Sequence, residues 1–562
     1  MAFTRCTALL LACAMAAASA ANVTARTSLG PVIGTAANGT RCASFKGIRY
    51  AAPPTGGSRF MPPQPAAPWS SPAPALHVGR SCLQTFGDAF MSFPPALEWL
   101  LEKLDLGMEP MSEDCLFLNV WTPRVPAAAA GGAALLPVMV WFHGGSLMGG
   151  SGDLQSNYPF YDGATMCAPG AAGGDVVVVS VNYRLGVFGF LAHDALLAEG
   201  GTAGNMGLQD QRAALAWVRA NAAAFGGDPA RVTIFGESSG AASVATHLAS
   251  ERSSPLFAAA MMQSGGIWLQ TYEQSRSQSA EVVRAVGCPT DSAAPSALQC
   301  LRALSAEKLL LTQDKAGWTL EQPCADGYEF ARNVTERQVF GSSSSSSSSS
   351  GSSSSYIAKP VLIGTNTNES ALFDCGNASK HMSAADVRAK MAAALRVNFD
   401  PSAAELDELM LLYDAPTRYG GEWGTAYTDF DTDLQFTCDS RTILDATAAQ
   451  GVPAYAYRLD HTPFFMEADA CWGVPHMSDL FFLFGNFDSI LARGGRELGA
   501  RMRAFWKAFA TDPSGPAGPG GGWPAYGGAA QREYLKLTVP TDGAGAQWKQ
   551  AQCDVLDRIR AR

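Results

Sequence analysis

Runs of consecutive apolar residues recur across the first half of this chain, and two of them lead into glycine turns. Residues 232–240 read VTIFGESSG, residues 138–146 read VMVWFHGGS, and residues 175–185 read DVVVVSVNYRL. Unbroken β-branched and aromatic runs describe strands buried on both faces rather than strands with one wet side. Residues 204–232 (GNMGLQDQRAALAWVRANAAAFGGDPARV) predict a helix bounded by glycines and a DP turn. Strands alternating with helices predict an α/β architecture, a large and mostly parallel sheet with helices on both faces.

The end of the 232–240 run carries the first candidate chemistry. Gly236 and Gly240 flank Ser238 in a Gly-x-Ser-x-Gly pattern, and residues 241–250 can continue as a helix. A serine on a tight strand-to-helix turn is exposed at the tip of a sheet, and small neighbours let the backbone take the strained turn. The positive end of the following helix dipole favours a developing oxyanion there. The glycine loop after VMVWF adds a second source of main-chain N–H groups able to approach a reacting centre closely.

Several further blocks carry a resemblance. FKGIRYAAPP (45–54), SEDCLFLNVWTP (112–123), WFHGG (141–145), NYRLGVFGFL (182–191), MMQSGG (261–266), VLIGTNTNES (361–370), VPHMSDLFFLFG (474–485) and WPAY (523–526) occur in this order. With them the chain resembles the type-B carboxylesterase/cholinesterase family of α/β-hydrolases. The resemblance implies one catalytic domain over residues 21–562 and hydrolysis of a small-molecule carboxylic ester through an acyl-enzyme, with no cofactor or metal.

A serine hydroxyl is a weak nucleophile and needs a histidine within reach, itself oriented by a carboxylate. In α/β-hydrolases the chain order is Ser, acid, His. Of seven histidines, His381, His461 and His476 lie late enough in the chain. His476 stands where the family carries its base; His461 reads as a strand-end residue and His381 as a surface one. Glu369 falls at the family's acid position, with Asp374 as the alternative. The oxyanion donors carried over are the backbone amides of Gly145, Ser146 and Ser239, and Ser239 is given a role only through its amide. At Ser146 the chain departs from relatives that usually place a third glycine there. Serine keeps the N–H but loses freedom at φ > 0.

Composition narrows the setting. Hydrophobic residues make up 47% of the chain, enough for a large core, and the formal charge of −10 without a basic run argues against a nucleic-acid partner. Residues 1–20 (MAFTRCTALLLACAMAAASA) read as a secretory signal peptide, with Arg5, a short apolar run and Ala18-Ser19-Ala20. No anchor or retention signal follows, so the expectation is a secreted protein. Of thirteen cysteines, Cys6 and Cys13 leave with the signal. The family resemblance pairs Cys82 with Cys115, Cys288 with Cys300, and Cys438 with Cys553, bridges that an oxidising compartment preserves. Cys42, Cys167, Cys324, Cys375 and Cys471 stay unassigned. Sequons at Asn22, Asn38, Asn333, Asn368 and Asn377 suit the same route. The serine tract 341–355 and the alanine-glycine run 127–134 read as surface insertions.

Cholinesterases stack a quaternary ammonium on a tryptophan ten residues before the cysteine of the EDCL block. This chain has Asp105 there, with Trp99 out of register, so choline esters are disfavoured. The loop between Cys82 and Cys115 holds Phe86, Phe90, Phe93, Leu97, Trp99, Leu100, Leu104 and Leu106, which read either as pocket wall or as the lid of a lipase. A catalytically silent adhesion module of the neuroligin type is the competing class. The intact set Ser238, Glu369 and His476 argues against it.

Overall fold

A computed structural model describes residues 22–36, 42–85, 110–125, 134–153, 160–290, 295–315, 322–331, 339–340, 356, 358–375, 381–397, 399–463, 472–489, 491–518 and 521–560. Residues 1–20, read above as a signal peptide, the serine tract and the apolar residues Phe86 to Leu106 lie outside them.

The strands that position the site are β1 (Asn22–Thr27), β2 (Gly30–Thr35), β3 (Ala43–Arg49), β4 (Phe117–Thr122), β5 (Leu136–Phe142), β6 (Val177–Val181), β7 (Gly227–Glu237), β8 (Ala259–Gln263), β9 (Val361–Asn366), β10 (Ala454–Leu459), β11 (Tyr534–Leu537) and β12 (Gly543–Gly545). They form a 13-stranded sheet in the order β1-β2-β3-β4-β6-β5-β7-β8-β9-β10-β11-β12, with a short strand, Ala73–Pro74, beside β2. Neighbours from β6 through β11 are parallel, whereas both ends of the sheet are antiparallel. This is the α/β-hydrolase arrangement, mixed but mostly parallel.

The unbroken apolar runs are explained by two cores, one on each face. In β5, Val138, Val140 and Phe142 join one buried cluster, while the alternate Met139 and Trp141 join the other. In β7, Ile234 and Phe235 divide in the same way. Because side chains alternate with period two, only a strand covered on both sides needs every position apolar.

Helices α1 (Met206–Asn221), α2 (Ser239–Ala249) and α3 (Cys438–Ala449) cover the first face through Leu215, Val244 and Leu444. Helix α4 (Arg493–Thr511) covers the second through Met502, Phe505, Trp506 and Phe509. Each such side chain contributes about 1.5–3 kcal/mol by leaving water. The predicted 204–232 helix is shorter in the structure. It ends at Asn221, passes through a 3₁₀ turn at Ala222–Phe225, and the chain is already extended from Gly227. Pairing of β7 with β5 shifts register between Gly227 and Val232, where Pro229 has no N–H to offer the ladder.

The disulfides Cys82–Cys115, Cys288–Cys300 and Cys438–Cys553 form as the resemblance implied. Of the cysteines left open, Cys42 pairs with Cys167, and Cys375 is also disulfide-bonded. Cys324 is a buried thiol whose Sγ contacts the Ala203 carbonyl at 3.3 Å.

Candidate active site

Strand β7 ends at Glu237 and α2 begins at Ser239, leaving Ser238 alone on the turn between them. Its φ of 57° and ψ of −127° lie outside the regions open to ordinary residues, a strain of about 1–3 kcal/mol that the surroundings must hold. They hold it through the backbone. Ser238 N–H donates to the Gln263 carbonyl at 2.9 Å, and Ser238 C=O accepts from Ala242 N–H at 3.0 Å.

The two flanking glycines are steric necessities. A Cβ at position 240 would sit 2.1 Å from the Phe142 carbonyl oxygen, and one at position 236 would sit 2.5 Å from the Gly240 carbonyl carbon. Helix α2 therefore lies directly against the end of β5. Ser238 is half-buried, and its hydroxyl makes no hydrogen bond among the described residues.

Past β5 the chain runs through Gly144, Gly145, Ser146 and Leu147 beside that turn. A Cβ on Gly144 would lie 3.0 Å from Ser238 Cβ. Gly145, Ser146 and Leu147 have φ values of 107°, 58° and 58°. The expected restriction at Ser146 is thus borne as a left-handed serine, a conformation costing roughly 1–2 kcal/mol for a residue with a side chain. Gly145 C=O accepts from both Met148 and Gly149 N–H at 2.9 Å, which closes the loop on itself. The N–H groups of Gly145, Ser146 and Ser239 have no acceptor among the described residues. Three unpaired amides near one half-exposed hydroxyl are what an oxyanion requires.

Glu369 and His476 come from loops more than a hundred residues apart. The first follows β9. Asn366 N–H donates to Glu369 Oε1 at 2.5 Å, and the carboxylate is fully buried. The two loops are joined by main chain: His476 N–H donates to the Glu369 carbonyl at 3.1 Å, and Asn368 N–H to the Val474 carbonyl at 3.0 Å. The Asn368 carboxamide oxygen accepts Val474 N–H at 3.1 Å. His476 Nδ1 lies 2.7 Å from Glu369 Oε2, and its Nε2 lies 3.3 Å from Glu237 Oε1, next to Ser238 in the chain.

The alternatives fall elsewhere. Asp374 has its carboxyl pushed up to about 7 by burial, reinforced by Asp431, and makes no bond to His476 among the described residues. His461 sits past β10 against Phe482, with ring centroids 5.8 Å apart, and His381 is exposed.

Glu237 had no part in the sequence reading, although it lies inside the serine motif. Burial pushes its carboxyl up to about 8. Burial opposes charge on His476 as well, but the carboxylates of Glu237 and Glu369 outweigh it and raise the imidazole to about 9. The two groups lie 3.3 Å apart, and each shifts the other. When the proton rests on Glu237, the strongest upward pull on His476 is gone and the imidazole is free to act as a base.

Behind them, buried Asp479 accepts from Gln263 Nε2 at 2.6 Å, and Trp506 Nε1 donates to Gln263 Oε1 at 2.9 Å. Phe436 and the exposed Phe373 flank the His476 ring at centroid distances of 5.0 and 5.6 Å. Among the described residues no group of three or more His, Cys, Asp or Glu is placed to hold a metal ion.

Known proteins resemble this chain in sequence and in fold. The Carboxylesterase family profile matches residues 21–556. An acetylcholinesterase of Bungarus fasciatus is 31% identical over 514 residues, covering 88% of this chain and 79% of that protein. The para-nitrobenzyl esterase of Bacillus subtilis (strain 168) is 32% identical over 517 residues, covering 89% and 92%. A solved PNB esterase structure superposes with a TM-score of 0.75 at 30% identity, covering 95% of this chain and 99% of that one. The profile spans nearly the whole described chain, and the fold superposes on that of a solved esterase over most of its length: the protein belongs to the carboxylesterase family and is a hydrolase of that family.

Proposed function

We propose that the protein is a secreted serine esterase that hydrolyses moderately hydrophobic carboxylic esters through an acyl-enzyme on Ser238. One observation carries the reading. A half-exposed serine on a strained strand-to-helix turn lies beside unpaired main-chain amides, and a histidine whose Nε2 lies 3.3 Å from the preceding residue, Glu237, has its other nitrogen held by a buried carboxylate at 2.7 Å.

In the proposed reaction Ser238 Oγ attacks the ester carbonyl and passes its proton to His476 Nε2, the ring nitrogen left over by the Glu369 bond. Such catalytic hydrogen bonds tighten when substrate binds. The carbonyl oxygen becomes an oxyanion received by the amides of Gly145, Ser146 and Ser239. Collapse breaks the bond to the alkoxy group, which takes the proton from His476 and leaves as the alcohol. Water then repeats the sequence on the acyl-enzyme and releases the acid. Glu369 holds the imidazole in the required tautomer and stabilises it when protonated.

Phe373 and Phe436 beside His476 favour an apolar substrate, in line with the nitrobenzyl ester named for the Bacillus relative. Asp105 at the tryptophan position speaks against choline esters. Secretion is supported by the disulfides, which persist in oxidising compartments, and by the leader-like residues 1–20.

The test is pre-steady-state hydrolysis of p-nitrophenyl esters of rising chain length. The expected result is a burst of one p-nitrophenol per active site and smooth saturation with monomeric short-chain esters. Absence of hydrolysis across the panel in folded protein would favour the adhesion-module reading, and a jump in rate above the solubility limit of a long-chain ester would make the enzyme a lipase.

A further inference from the structure

The Ser239 side chain does more than the sequence suggested. Leu147 N–H, the amide immediately after the two loop donors, gives its hydrogen bond to Ser239 Oγ at 3.1 Å, across 92 positions of sequence. Burial holds the Tyr183 phenol far above its ordinary range. Tyr183 donates to the His143 carbonyl at 2.6 Å and stacks on the His143 ring at 4.3 Å. Ser239, Tyr183, Leu147 and His143 are all buried.

We propose that the Ser239 hydroxyl is a positioning group. It ties the glycine loop to the serine turn, so that the one residue supplying the third oxyanion donor also sets the distance and tilt of the other two. This rests on the assignment of Ser238 as nucleophile. The physical need is plain. Gly145, Ser146 and Leu147 are three successive residues at positive φ, and such backbone persists only where neighbouring contacts over-determine it. Oxyanion donors act by being aimed before the charge develops. The hydrogen bonds at Leu147 N–H and the His143 carbonyl pin the loop on both sides of Gly145 and Ser146. Without the hydroxyl, Leu147 N–H loses its acceptor at a buried position.

The experiment compares Ser239→Ala, Tyr183→Phe and the double variant with the parent. Fluorophosphonate titration counts competent sites in each, and a parent that does not titrate would refute the Ser238 assignment rather than the positioning role. Per titrated site, Ser239→Ala is expected to lower kcat about tenfold, a fraction of the loss for deleting a donor outright, with KM within about twofold. Affinity for a trifluoromethyl ketone, whose adduct carries the oxyanion, should fall by the same factor as kcat. Tyr183→Phe should do the same more weakly, and the double variant should lose little beyond Ser239→Ala because both hold the same short loop. Tyr183→Phe alone still decides the matter if Ser239→Ala does not fold. Parental kcat and ketone affinity in the variants, a loss in kcat without loss of ketone affinity, or multiplicative effects would each overturn the proposal.

Discussion

The two halves of the site are built by different means. The serine half is local: β7, the turn at Ser238 and α2 are consecutive in the chain, and the glycine loop is the direct continuation of the neighbouring strand β5. The acid–base half is assembled from two distant loops, stitched by main-chain hydrogen bonds between Asn368 and Val474 and between Glu369 and His476. The first half is held by steric exclusion, since Gly240 has no room for a Cβ against Phe142. The second is held by electrostatics, with Glu237, Glu369 and His476 buried together. Substitutions on the serine side should therefore act on geometry and on the nucleophile itself, and those on the acid–base side on charge and pH.

The sharpest break is Ser238→Ala. It should leave the fold intact and lower kcat about 10⁴–10⁶-fold, measured with p-nitrophenyl esters, because triad members act as a unit. Residual activity close to that of the parent would move the nucleophile elsewhere.

On the other half, Glu369→Gln should cost on the order of 10³–10⁴ in turnover in folded protein, because the imidazole loses the charge that orients and stabilises it. Asp374→Asn should cost far less, and the opposite ranking would transfer the acid to Asp374.

Glu237→Gln sharpens the electrostatic part of the comparison. The Glu237 carboxylate raises the pKa of His476, and a base works only when unprotonated. Removing the charge should therefore lower that pKa and move the acidic limb of kcat/KM to lower pH, by about one unit or more for a neighbouring buried charge. An unmoved limb would mean that His476 does not feel Glu237.

The smallest effect belongs to the loop. Ser146→Gly removes the strain of a left-handed serine and should raise turnover by up to about tenfold, equivalent to roughly 1.4 kcal/mol, most clearly on bulky acyl groups. Ser146→Ala should match the parent if only the amide acts. A hundredfold loss there would instead make the hydroxyl the donor.

The same division governs what could be read from residue order. Apolar runs marked β5, β6 and β7 because a doubly covered strand needs an apolar residue at every position. Gly-x-Ser-x-Gly marked the turn because sterics allow no side chain at its flanks. The spatial order β6-β5-β7 departs from chain order, and nothing in a local pattern encodes it. Glu369 and His476 were placed by resemblance rather than by periodicity, since a loop residue's partner is chosen by tertiary structure. The Cys42–Cys167 bridge spans 125 positions and was left open for the same reason. Glu237 and the Ser239 hydroxyl stood in plain view within the motif. Their roles emerge only when His476 and Leu147 arrive from elsewhere in the chain.

The central claim, that Ser238 is the activated nucleophile of this fold, is tested most directly by labelling the protein with a fluorophosphonate and mapping the modified residue by peptide mass spectrometry. The account predicts stoichiometric modification of Ser238, lost in Ser238→Ala and slowed in Glu369→Gln. Modification at Ser239, or none in folded protein that hydrolyses esters, would contradict it.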